Sequence, residues 1–530
     1  MTPFSYDAPY PVRRVPVMAR NVVATSQPLA AQAGLRMLLA GGNAVDAALA
    51  AAIALTVVEP TGNGVGSDAF AILWDGRELH GLNASGRSPA GWSPARFAGR
   101  TTMPFRGFES VTVPGAVSAW VALSERFGRL PFADLFAPAI AYARDSFPVS
   151  PTIARLWQLG AEELAGEPGF RDGFMAAGRT PAPGEISVNA PLAAALEAIA
   201  LTKGEAFYRG ALAGQIAAFA RANGAALSED DLAAHAPDWC GTIGMDFRGV
   251  RLHEIPPNGQ GIVALMTLGI LAHTNIADLP VDSLAAPPPH TEAPMPASAG
   301  AARWVAYRGP METGHHAPPR PAYLARRAAL IDPAKAMEAA AGAPRHGGTV
   351  YLSAADASGM MVSYIQSNYS GFGSGVVVPG TGIHLQNRGF GFSLVPGHPN
   401  EVGPRKRPFH TIIPGFVTRD GAPLMSFGVM GGPMQAQGHV QMVLRTGLWG
   451  ENPQSASDAP RWRFVSGRKV AVEEAMAPAL VAGLRALGHE IDIETPDRAF
   501  GFGGAQLVHR LADGYVAGSD HRKDGQAVGF

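Results

Sequence analysis

Cysteine is almost missing from this chain: Cys240 is the only one in 530 residues. No internal disulfide can form and no cysteine-rich metal cluster can be built, and Cys240 itself reads as a buried small hydrophobe. An excess of either charge is missing too. The 42 basic and 43 acidic side chains leave a formal net charge of -1, so no global field gathers nucleic acid or an anionic membrane; the expected partner is a small molecule. No uncharged apolar run approaches the ~20 residues that cross a bilayer as a helix. The most apolar stretch, NAVDAALAAAIALTVVEP (residues 43–60), carries Asp46 and reads as a buried core helix. None of the 15 histidines forms an HExxH or comparable pair, and His315 and His316 adjoin in a Pro-rich stretch, so neither a metal nor another cofactor is expected. The opening MTPFSYDAPYPVRRVPVMARN lacks the apolar core and cleavage site of a signal peptide, which points to a cytoplasmic location. The 64 glycines and 45 prolines follow no period, as in a loop-rich enzyme rather than a fibrous or disordered chain.

What is present is an alternation of helical and strand patterns. Residues 29–58 show two helical runs divided by AGGNA, with Gly41 and Gly42 as a stop and Asn43 as the next N-cap. DAFAILWDGRELHGLN reads as a hairpin about Asp75-Gly76, and residues 116–222 as mostly helical. RGVRLHEIPPNGQGIVALMTLGIL reads as strand, Gly-rich turn and helix. Residues 282–346 are Pro-rich and read as an exposed linker without a long regular helix. Beyond it, GTVYLSAADASGMMVSYIQSN, FHTIIPGFVTRDGAPLMSFGVMGG and AQLVHRLADGYVAGSD read as hairpins, and PALVAGLRALGHEIDIET as a helix then a strand. The chain is therefore of mixed helix and strand class, with a natural division near residue 348.

At that division stands HGGTVYLS. Glycine beside a strand marks a bulge or a close approach of another group to the backbone. Gly347-Gly348-Thr349 is either simply the start of a strand or a self-cleavage site. In the second case the freed α-amine of Thr349, with a reference pKa of about 7.7 to 8.0, serves as base for the threonine's own hydroxyl. The two glycines would let the scissile carbonyl adopt the geometry that intramolecular attack requires.

Several segments resemble the γ-glutamyltranspeptidase family in order along the chain: PLAAQAGLRMLLAGGNAVDAALAAAIALTVVEP, HEIPPNGQGIVAL, FGSGVVVPGTGIHLQN, GVMGGPMQAQ, SASDAPRWRF and GSDHRKDGQAVGF. The resemblance implies an α+β fold, the four-layer αββα sandwich of N-terminal-nucleophile hydrolases. It also implies a proenzyme cut between Gly348 and Thr349 into associated fragments 1–348 and 349–530 that form one domain. Thr349 falls at the family's nucleophile position and Ser367 at its supporting hydroxyl. Gly431 and Gly432 fall at the backbone oxyanion hole. Read without the family, Ser363 and Ser367 are equally well ordinary strand residues.

The resemblance fails where the family grips glutamate. Gly391 in LQNRGFGFS stands in place of an Asp, and Pro408 and Phe409 in KRPFHTIIP in place of two serines; the family's early arginine corresponds only loosely to Arg87. Arg388, Arg405, Lys406, Arg407 and His410 cluster nearby in sequence, as a cationic pocket without an acidic partner or as a solvated basic turn. Tyr369 and Phe372 are expected to shorten the pocket. The pattern resembles the divergent branch that includes oxamate amidohydrolase, with cephalosporin and glutaryl acylases as more distant relatives. The expected function is hydrolysis of a small carboxylated amide through an acyl-threonine, with water or an amino acid as acceptor. γ-Glutamyl transfer or glutathione hydrolysis is the alternative, and an unprocessed scaffold is a remote one, suggested by Pro294 and Pro296 where the family has a helix. The Gly-rich GNGVG and GFGSG lack the rest of any nucleotide fingerprint. Oligomeric state is left open.

Overall fold

The computed structural model describes residues 14–175, 178–283, 292–295, 297–298, 321–332, 334–338, 348–495 and 501–530. Gly347, His315, His316 and Pro296 lie outside the described residues. The helix Ala44–Val58 is buried at every position, as its nearly uniform apolar composition requires. Asn43 caps it: its Oδ1 accepts from Val45 N and Asp46 N, and Asp46 Oδ2 accepts from Asn43 N, a complete capping box. Asn43 Nδ2 also donates to Phe127 O at 2.6 Å, tying the cap to the helix Ala116–Phe127. The preceding helix, Pro28–Leu39, ends just before Gly41, whose φ of 88° lies in the left-handed region.

Two seven-stranded sheets form the centre. The first runs, edge to edge, Gln526–Gly529, Val22–Thr25, Gly348–Ala355, Met361–Tyr369, Asp68–Trp74, Leu79–Asn83 and Asp238–Trp239; the second runs Val17–Ala19, Tyr515–Ser519, Gly504–Arg510, Ala422–Met430, Gly415–Arg419, Val250–Glu254 and Ile243–Phe247. Every pairing in both is antiparallel. The hairpins expected from sequence are all here. A separate three-stranded sheet, Trp462–Ser466, Lys469–Glu473 and Glu490–Glu494, includes a parallel pair that the strand patterns did not reveal.

Three apolar layers separate these elements. One packs the first sheet against the N-terminal helices, one packs the second sheet against the helices Gly261–Leu271 and Met434–Val443, and one lies between the sheets with Phe70, Ile72, Tyr351, Ile365, Phe416 and Val508. This is the expected four-layer αββα sandwich. Sheet contact is close where Tyr351 lies on Gly428; a Cβ there would come within 2.4 Å of the ring. Both sheets contain strands from before and from after residue 348.

Two expectations need correction. The described parts of 282–346 are not exposed throughout: Glu292, Ala293 and Met295 are buried, and the short helix Pro321–Ala328 seats Leu324 against Gly269, whereas Pro321, Ala322, Arg326 and Leu330 are exposed. Cys240 is only half-buried, with its Sγ 3.6 Å from Gly81 O, because it sits just past the edge strand Asp238–Trp239. No described helix is long and apolar enough to cross a membrane.

The Asn43 cap yields a direct check. Asn43→Ala removes the cap acceptor and the bond to Phe127, so chemical denaturation should show a loss of about 1–3 kcal/mol; an unchanged midpoint would contradict the assigned role.

Candidate active site

Thr349 is the second residue of the strand Gly348–Ala355 and is buried against Met361–Tyr369. The pairing slips between Gly348 and Val350, so the backbone bulges at Thr349. Thr349 Oγ1 donates to Ser367 Oγ at 3.0 Å, and Ser367 Oγ donates to the carbonyl oxygen of Gly348 at 2.5 Å. The two hydroxyls and the peptide carbonyl before Thr349 thus form one hydrogen-bonded group. Two further donors converge on Ser367 Oγ: Tyr369 N at 2.8 Å and Arg388 Nη2 at 2.6 Å.

The glycine before Thr349 is required by close packing. A Cβ on Gly348 would lie 2.7 Å from both Ser370 C and Gly371 N, which are backbone atoms and cannot turn aside. Gly62, in GNGVG, approaches from the other side: a Cβ there would sit 3.3 Å from Thr349 O. The segment after the strand is bent by Tyr369 and Phe372, both at positive φ (80° and 55°), a conformation that non-glycine residues adopt at a cost. Arg106 holds this bend. It donates to Gly371 O, Gly373 O and Ser370 Oγ while its other edge pairs with Glu163.

Arg388 is the only basic residue of the expected cluster whose side chain bonds to this group. Its Nη1 donates to Thr411 Oγ1 at 2.9 Å, its guanidinium lies 4.9 Å from the Tyr369 ring centre, and its Nε has no partner among the described residues. Burial pushes its pKa down to about 10, so it remains charged at neutral pH. Phe105 and Phe390 complete an aromatic wall with Tyr369.

The other basic residues point elsewhere. Arg405 is exposed, and Lys406 Nζ is taken up by backbone carbonyls of Pro399 and Glu401. Arg407 Nη1 pairs with Asp238 and its Nε donates to Ser85 O; Arg87 Nη2 lies 3.7 Å from the same Asp238. Neither Arg87 nor Arg407 is seen joining the Thr349 group. Phe372 is also displaced from its expected place, because it packs into the apolar layer with Trp157, Phe170 and Phe174. Ser363 bonds to Tyr351 Oη and Phe427 O between the sheets, as an ordinary strand residue.

An acidic partner is present, contrary to expectation. Asp68 pairs directly across from Ser367 in the sheet register. Its Oδ1 accepts from Gly86 N and Gly115 N at 3.0 and 3.1 Å, and its Oδ2 lies 3.2 Å from His410 Nε2. Burial raises its pKa to about 7, against the opposing pull of Arg388, the two amides and Arg407. His410 is held well below its ordinary value by burial, then by Arg388 and Arg407, so its ring is neutral. Because Ile412 N donates to Nδ1, the ring proton sits on Nε2 and is given to Asp68.

Gly431 and Gly432 follow the strand Ala422–Met430 with φ of 141° and 61°. Their N–H groups have no partner among the described residues, whereas Gly432 O accepts from Gln260 Nε2 at 2.9 Å. Gln260 Nε2 also donates to Thr411 O. The Gly-Gly turn is therefore linked through Gln260 and Thr411 to Arg388.

The two altered glutamate grips touch each other. A Cβ on Gly391 would lie 2.5 Å from Phe409 O and 3.4 Å from Pro408 Cβ, so the Phe409 carbonyl and the Pro408 ring occupy the space a side chain there would need.

A family model described as gamma-glutamyltranspeptidase matches residues 30–530. The chain belongs to the γ-glutamyltranspeptidase family. It is an enzyme with the fold of that family's N-terminal-nucleophile hydrolases. It is 34% identical to a glutathione hydrolase-like YwrD proenzyme of Bacillus subtilis, over 97% of this chain and 100% of the relative. It is likewise 34% identical to the oxamate amidohydrolase proenzyme of Klebsiella pneumoniae, over 95% and 97%. A solved cephalosporin acylase from Bacillus halodurans superposes with a TM-score of 0.95 and 43% identity, covering 100% of this chain and 99% of that one. The acylases therefore include a nearer relative than the motifs suggested.

Asp68, Gln260 and Arg106 were missed in the sequence. A carboxylate opening the otherwise apolar strand DAFAILW was a visible signal for Asp68; Gln260 lay unassigned within HEIPPNGQGIVAL; Arg106 acts only through tertiary contacts.

Asp68 gives a pH-dependent prediction. Its folded pKa of about 7 lies above the ordinary carboxyl value. The folded state thus holds a proton that the unfolded state has lost between pH ~4 and ~7, and this group's contribution to stability falls as pH rises through that window. Asp68→Asn should therefore cost about 1–2 kcal/mol less at pH 8 than at pH 5 in urea titrations; a cost equal at both would contradict the shifted carboxyl.

Proposed function

We propose that this family member is a self-processing threonine amidohydrolase that acts on a small amide bearing a carboxylate, through an acyl ester on Thr349. Cleavage of the Gly348–Thr349 bond frees an α-amine to act as base for the threonine hydroxyl. Ser367 orients that hydroxyl, and the N–H groups of Gly431 and Gly432 receive the oxyanion, with Gln260 holding their turn in place. Water completes the cycle. Because strands on both sides of residue 348 share both sheets, the two fragments stay associated after the cut.

One observation carries the choice of substrate: a buried, charged guanidinium stands two hydrogen bonds from the nucleophile. Arg388 Nη2 and Thr349 Oγ1 share Ser367 Oγ, so they lie within about 6 Å, the most that two such bonds can span. A reacting carbonyl must come to about 3 Å from the hydroxyl. A carboxylate on the adjacent carbon, as in oxamate, then reaches Arg388 without curling, and the unpartnered Nε supplies a further donor for it. An α-ammonium finds no counterpart: Gly391 has no room for a carboxylate, and Asp68 is closed off by His410 and two amides.

γ-Glutamyl transfer is the second reading, favoured by family membership, and acylation chemistry is kept in view by the 43% identical acylase. The processed protein is to be incubated with oxamate, with γ-glutamyl-p-nitroanilide and with an acylated cephalosporin nucleus. Ammonia from oxamate with little nitroaniline is expected, and Arg388→Met should raise KM for oxamate at least ten-fold. Nitroaniline release with no ammonia from oxamate would reverse the assignment, and turnover of the cephalosporin alone would shift it to the longer acyl group.

A further inference from the structure

We propose that Arg388 also drives maturation, by polarising the Ser367 hydroxyl toward the Gly348 carbonyl before any substrate is bound. The inference rests on the reading of Thr349 as the self-cleaving nucleophile and adds a role for a residue so far assigned only to substrate.

A hydroxyl oxygen offers one proton and two lone pairs. Ser367 Oγ is approached by three donors, Arg388 Nη2 at 2.6 Å, Tyr369 N at 2.8 Å and Thr349 Oγ1 at 3.0 Å, while its own proton points to Gly348 O at 2.5 Å. Three donors overfill a neutral alcohol. They suit an oxygen whose electron density rises as its proton shifts toward the carbonyl while it takes up the Thr349 proton, and Arg388 is the charged member of the set. The shortest bond of the group joins Ser367 to the carbonyl that must be attacked.

The step balances without an outside base. As Thr349 Oγ1 bonds to the carbonyl carbon of Gly348, its proton passes to Ser367 Oγ and the Ser367 proton passes to the Gly348 oxygen. The tetrahedral adduct forms with no net charge separation and Ser367 is regenerated. Collapse breaks the carbon–nitrogen bond, its electron pair goes to Thr349 N, and the proton on the former carbonyl oxygen moves to that nitrogen. The product is an ester of Gly348 on Thr349 Oγ1 beside a free amine. Water then adds its hydroxyl to the Gly348 carbonyl and its proton to Thr349 Oγ1. Throughout, Arg388 acts through Ser367 and is a positioning residue. Asp68, across the sheet from Ser367, lies near enough to Arg388 to favour its charged form against burial without pairing to it directly.

The test uses the full chain made in a cell-free system with no amide substrate added, and follows its conversion to two fragments on denaturing gels. Arg388→Ala should cleave about ten- to a hundred-fold more slowly, Arg388→Lys should fall between it and the wild type, and millimolar guanidinium should partly restore cleavage in the alanine variant. Circular dichroism melting checks that each variant is folded, and Arg388→Met replaces alanine if alanine does not fold. Wild-type cleavage in Arg388→Ala, with amide hydrolysis lost, would make Arg388 a substrate anchor alone and overturn the proposal. Equal slowing in the alanine and lysine variants with no guanidinium rescue would reduce it to packing and overturn it too. A wild-type chain that never cleaves would remove the reading of Thr349 on which it rests.

Discussion

The hydrogen bond from Ser367 to the carbonyl of Gly348 is the contact on which the rest of the site depends. It fixes the peptide before Thr349 against the one hydroxyl that also touches the Thr349 side chain. To make it, the chain bulges at Thr349, excludes a side chain at residue 348, and bends sharply after Tyr369. Each feature is costly alone. Together they are supported by the fully buried helix Ala44–Val58 behind the sheet and by Arg106, which clamps the bend to Glu163. Local strain of this kind persists only where the surroundings over-determine it.

Charge is handled by exchange within a closed space. At Gly391, where the resemblance to the family leads one to expect an aspartate, the Phe409 carbonyl and the Pro408 ring leave no room for a side chain. The buried Arg388 lies two hydrogen bonds from Thr349, and the nearby carboxyl of Asp68 comes from a different strand and is occupied by neutral His410 and two amides. The Arg388 Nε–H has no partner among the described residues. On the proposed reading, such a site favours an anion over a zwitterion, because a buried ammonium without a counterion pays its full desolvation cost.

The sequence carried the layers of the fold well and the side-chain geometry unevenly. Helix caps such as Asn43 and hairpin turns such as Asp75-Gly76 are local signals, and the structure repeats them. Thr349 and Ser367 were legible through their motifs, and the structure brings them together. The basic run at Arg405 to Arg407 misled, because adjacent residues on an extended turn point in different directions; Arg407 reaches Asp238 while Arg405 meets solvent. Arg388 was named on the same grounds and does reach the site. Asp68 could be suspected only as a buried charge at a strand end, since its relation to Ser367 is a matter of strand register, which no single segment encodes. Gln260 and Arg106 work through contacts across more than a hundred residues of chain and left no local pattern.

The central claim is that Thr349 becomes an N-terminus by its own chemistry. Intact-mass spectrometry of the purified chain, followed over time and compared with Thr349→Ala, tests it most directly. The account predicts two fragments from the wild type, the smaller beginning at Thr349 and ending at Phe530, and an uncut Thr349→Ala chain. A wild-type chain that stays whole, a cut at another bond, or the same cut in Thr349→Ala would contradict it.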